Sequence, residues 1–144
     1  MTNVAFKQRS HLEPALTDPA IRILNIEGLL GRWRNTNVGT NGISEIHIAR
    51  ENAGFTVRIV GVGPDGPVDW PVAEGVVLAN LEEEAGQKAV AIAANFDLGF
   101  MTAETHLRVN KGVLVIVLVV TFRDDSGRSD YINREFYYKA AEVE

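Results

Sequence analysis

The chain has 144 residues, a formal net charge of -5 and no cysteine. A chain of this length suits one domain with a sizeable core; disulfide and thiolate chemistry are excluded, and an acidic chain with no basic stripe is not built to meet nucleic acid. Met1 to Pro14 is mostly polar, so no secretory apolar region opens the chain, and the uncharged run at Val113–Phe122 is too short for a membrane helix, which takes about 20 residues, so a cytoplasmic protein with no membrane partner is expected.

Residues 1–16 show no hydrophobic period and read as a flexible arm ahead of one domain over 17–144. Asp18 is a good N-cap and Pro19 suits the first helical position, where its missing N–H costs nothing. A short helix over about 19–25 follows, ended by Gly28. From Leu29 the pattern changes to short extended segments. Strands are predicted over 29–37, 43–50, 55–62, 68–81, 89–96, 101–109, 113–123 and 129–139. The breaks between them carry turn chemistry, as in Gly39-Thr40-Asn41-Gly42, Pro64-Asp65-Gly66-Pro67 and Asn110-Lys111-Gly112, where glycine and asparagine accept the positive φ of tight hairpins. Eight strands with short links form a meander, and a twisted meander of that size removes its edges by closing. The expected fold class is therefore all-β: an antiparallel up-and-down barrel of about eight strands with a short N-terminal helix.

Val113–Phe122 organises the chain. Its branched residues favour a pleated surface, and it is apolar on both faces. Val113, Val115, Val117 and Val119 point one way; Leu114, Ile116, Leu118 and Val120 point the other. One face belongs to the core. The other needs a cover, and a homodimer packed through the outer face of this strand supplies it. A shorter signal runs along the chain as an echo: Ser44-Glu45-Ile46-His47-Ile48 resembles Ala103-Glu104-Thr105-His106-Leu107, and Asp69-Trp70 has a counterpart in Asp130-Tyr131. A spacing of about 60 residues reads as two four-strand halves of one barrel.

The opening Gly31-Arg32-Trp33-Arg34-Asn35 resembles the Gly-x-Trp start of the calycin superfamily, which includes the lipocalins and avidins; avidin-like barrels begin Gly-x-Trp-x-Asn. The resemblance implies a tryptophan that plugs one barrel end beneath a basic residue from near the last strand, for which Arg134 is the candidate. It also implies that Asn35 can contact a ligand. Biotin is not expected, because Trp70 is the one tryptophan beyond Trp33 where biotin-binding barrels use several late ones. His47 and His106 sit in no recognisable haem context, and no cofactor is expected. On the last strand, Ile132, Arg134, Phe136 and Tyr138 share a face that suits the interior, while Tyr131, Asn133, Glu135 and Tyr137 share the other. The candidate ligand contacts are thus Trp33, Asn35, Trp70, Arg134 and Tyr138.

Two polar pairs remain. Glu45 with His47 and Glu104 with His106 each share one strand face. Facing one cavity, they make a general acid–base set or hold a divalent metal. The alternate faces carry Ile46 and Ile48, and Thr105 and Leu107, so the pairs more simply point outward and no metal site is expected. Arg58 is read as outward too, near Glu45. Three functions fit: a barrel that binds an apolar or partly polar small molecule, a cofactor-independent cyclase or isomerase, and a scaffold with a filled interior. The first is preferred.

Overall fold

A computed structural model describes residues 27–52, 54–79 and 89–141. The arm expected over 1–16 and the helix expected over 19–25 lie outside them. Nine strands follow in order: β1 Gly31–Asn35, β2 Ile43–Glu51, β3 Gly54–Gly63, β4 Gly66–Asp69, β5 Ala73–Ala79, β6 Ala89–Asp97, β7 Met101–Asn110, β8 Val113–Phe122 and β9 Tyr131–Lys139. All pairings are antiparallel, each strand except at the β4–β5 junction pairs with its sequence neighbours, and β1 pairs with both β2 and β9, so the sheet closes. β4 and β5 both pair with β3 and act as one bent strand, which makes this an eight-stranded up-and-down barrel.

The segment expected as one strand over 68–81 is broken at Trp70-Pro71-Val72. Between the pairs Val60–Asp69 and Val57–Ala73, three residues oppose two on β3. Pro71 has no N–H for the ladder, and such a residue sits at a bulge. The Trp70 N–H still donates to the Ile59 carbonyl at 2.9 Å, anchoring the bend.

Alternation sorts the side chains as β geometry requires. Ile46, Ile48, Val57, Ile59, Ile92, Phe96, Leu107, Leu114, Ile116 and Val120 are buried and form one interior cluster. On β8 it is Leu114, Ile116, Leu118 and Val120 that face inward; Val113, Val115 and Val117 are half-buried on the outer face and Val119 is exposed.

On β9 the expected faces are reversed. Tyr137 is fully buried, whereas Ile132 is 70 % exposed and Phe136 and Tyr138 are also exposed. Register explains it: Tyr137 pairs with Leu114 and Glu135 with Ile116, both inward, while Phe136 pairs with Val115 and Ile132 with Val119, both outward. The more apolar face of β9 continues the outer valine stripe of β8 instead of filling the barrel.

The echo falls on strands four apart. β2 is the second and β7 the sixth strand around the barrel, so the two halves map onto one another and their matching residues stand on opposite walls.

Candidate functional site

The barrel has two ends. At the first, Gly31 takes φ +125, a conformation side chains avoid, and a Cβ there would lie 2.8 Å from the Lys139 Cε. That space lets Lys139 cross the end of the barrel, its ammonium 5.4 Å from the centre of the Trp33 ring. Trp33 is buried, and its indole N–H donates to the Leu29 carbonyl at 3.0 Å. The tryptophan plug under a cation is present, but the cation is Lys139; Arg134 is on the outer wall, over the Phe136 ring at 5.8 Å. The guanidinium expected over Trp33 is excluded by the same reversal of β9.

At the other end, β1 stops early. Its pairing with β9 covers Trp33, Arg34 and Asn35 against Lys139, Tyr138 and Tyr137, and the Thr36 N–H closes it on the Phe136 carbonyl at 3.0 Å. Among the described residues, 131–135 of β9 pair with β8 alone. A seam therefore opens near the rim: Asn133 shares the inward face yet is exposed, while its rung partner Leu118 is buried.

A polar cluster sits at the foot of this seam. The buried Asn35 amide donates to the Ile43 carbonyl at 2.9 Å and lies 3.3 Å from Glu135 Oε2, and its own Oδ1 accepts the Asn37 N–H at 2.8 Å. The Tyr137 hydroxyl lies 2.9 Å from the same Glu135 oxygen and 3.1 Å from the Ile43 carbonyl. Burial, reinforced by the negative Glu135, pushes the Tyr137 phenol far above its ordinary pKa, so it stays a neutral donor. Buried polar groups need partners, and here each supplies the other's.

Outside this cluster lies a recess of about 200 Å³ under the β1–β2 connection, lined by Arg34, Asn35, Thr40, Ser44, Val62 and Tyr138 among others. Asn35 and Tyr138, both expected to contact ligand, thus meet at one place. Trp70 and His47 meet at another, a groove of about 280 Å³ where the wall bends, together with Arg58 and Asp69. Trp70 also packs edge-on against Phe96, with centroids 5.4 Å apart. A wide trough of about 590 Å³ runs along the β2–β3 hairpin past Glu51, Thr56, Arg58 and Glu74.

The Glu/His pairs do not converge. Glu45 and His47 project from β2, and Glu104 and His106 are exposed on β7, on the far wall. Both pairs point out of the barrel from opposite walls, so they do not share one acid–base site. Glu45 is committed elsewhere: Arg32 Nε donates to it at 2.8 Å, Arg34 Nε lies at 3.4 Å and His47 Nε2 at 2.8 Å. Partial burial pushes its carboxyl pKa up, but the hydrogen bonds and charges of Arg32 and His47 outweigh burial and hold it below the usual carboxylate range. Arg58 does not meet Glu45; its partner is Glu51 at 3.8 Å. Among the described residues, no three His, Asp or Glu side chains gather as a metal set, and no helix is long and apolar enough to cross a membrane.

Sequence reasoning missed Glu135, Tyr137 and Lys139. The available signal was parity: Trp33 and Asn35 share a face, and their register partners Lys139 and Tyr137 share one too.

No protein-family model matches the chain, and no curated protein matches it either. Among solved structures, the chain is similar to an alanine-substituted variant of the fluorescent protein UnaG, with a TM-score of 0.38 and 14 % identity over 82 % of this chain and 100 % of that one. The closed eight-stranded antiparallel barrel rests on the strand pairing itself.

Proposed function

We propose that the protein is a small-molecule-binding barrel whose ligand sits in the rim recess beneath the β1–β2 connection. The observation that carries this reading is the recess itself: a half-exposed guanidinium, Arg34, and the Tyr138 hydroxyl stand beside the apolar Val38 and Val62, at the foot of the seam. Two kinds of donor next to aliphatic carbon suit a small amphiphilic anion, such as an aromatic carboxylate. The packed interior cluster supports a site at the rim over one in the lumen. Asn35 and Tyr137 hold the adjoining backbone in place through the Ile43 carbonyl. The proposal includes a cytoplasmic location, in keeping with a chain free of cysteine. It also includes self-association through the outer valines of β8.

Thermal unfolding in benzoate tests the site. A ligand that binds the folded chain stabilises it by about 2.7 kcal/mol at 100 times its dissociation constant. The midpoint is expected to rise with benzoate for the wild type, and not for the double variant Arg34→Ala, Tyr138→Ala. Equal responses from both proteins, or none from the wild type, would contradict the assignment.

A further inference from the structure

Resting on the self-association just proposed, we infer that two copies pack wall to wall about a two-fold axis along β8, with Arg134 of each copy closing on the partner's Glu104. Register lays out the outer face as a grid. Its rungs run Glu104–Val119–Ile132, His106–Val117–Arg134, Arg108–Val115–Phe136 and Asn110–Val113–Tyr138. The middle column is four valines. The β7 column carries Glu104 and, two rungs away, Arg108, the β9 column carries Arg134, and among the described residues neither Glu104 nor Arg134 has an ion-pair partner within its own chain. Ile132 and Phe136 add exposed apolar side chains on the same wall, and a contiguous apolar patch is what an interface covers.

Rotation about the valine column sets valine on valine and lays each β9 over the partner's β7. Arg134 then stands on the rung of the partner's His106, one step of about 7 Å along the strand from the partner's Glu104. An arginine side chain spans that step. Phe136 falls on the rung of the partner's Arg108, a cation over an aromatic face. The symmetry makes both contacts twice. Among the described residues, β1, β2 and β3 present Arg32, Arg34, Glu45, His47 and Arg58 on their outer faces, and Glu45 is already paired within the chain.

Sedimentation equilibrium on the full chain provides the test, with circular dichroism melting to verify that each variant folds. The wild type should run as a dimer. Glu104→Arg and Arg134→Glu should each raise its dissociation constant by about tenfold or more, because each sets like charges together. The double swap should return it to near the wild-type value. A dimer that ignores the single swaps, or a double swap that is weaker than either single, overturns the pairing and leaves self-association standing. A wild-type monomer at the highest concentration loaded overturns both.

Discussion

Glu45 shows how one side chain on the outer wall joins two strands. It stands on β2 and accepts hydrogen bonds from Arg32 of β1 and from its own-strand neighbour His47. Because its folded pKa lies below the unfolded one, the stability it contributes is present above the unfolded value near 4.3 and is lost as pH falls through the folded value. Hydrogen bonds to charged groups contribute about 1.5–3 kcal/mol. Glu45→Gln should therefore lower the urea-unfolding free energy by about 1–2 kcal/mol near neutral pH, and the gap from wild type should close as the pH falls below the ordinary carboxylate range. A variant equal to wild type at neutral pH, or a gap that widens on acidification, would contradict this. The buried Asn35 works differently. Its carbonyl and amide satisfy backbone groups of the β1–β2 connection, so it shapes the recess more than it reaches into it.

Among the elements, the hairpins were the most legible. The turn expected at Asn110-Lys111-Gly112 joins β7 to β8 with Lys111 at φ 52 and Gly112 at φ 80. Both central residues need positive φ in such a turn, and lysine adopts it at a cost that asparagine largely avoids. Lys111→Asn should raise stability by about 0.5–1 kcal/mol in urea unfolding; an unchanged or lower value would argue against a strained turn. Strand β9 was the least legible. Both of its faces carry aromatics, and hydrophobicity alone chose Ile132, Phe136 and Tyr138 for the interior. Pairing with a strand that is apolar on both faces removes the usual penalty for turning that set outward, so register decided. The break at Trp70–Val72 was legible in principle from Pro71, whose missing N–H marks a bulge inside an otherwise extended run.

For the whole molecule, an even count of antiparallel strands with short links was enough to anticipate closure, because closure alone removes the edges. The distribution of function over that barrel was less visible. The matching Glu/His pairs drew attention as a possible joint site, yet both lie on the outer faces of strands four apart, where side chains diverge. The rim recess depends on β1 ending at Asn35 while β9 runs on, a length difference that no local pattern in residues 29–37 announces. What emerges is a barrel packed with aliphatic side chains, with Trp33 under Lys139 at one end and the proposed binding recess at the other. Amide NMR shifts of the isotopically labelled chain during benzoate addition test that account most directly. The prediction is that shifts concentrate at Arg34, Thr40, Ser44 and Tyr138 while Ile92, Phe96 and Leu107 stay still; movement centred on those interior residues, or no movement at all, would contradict it.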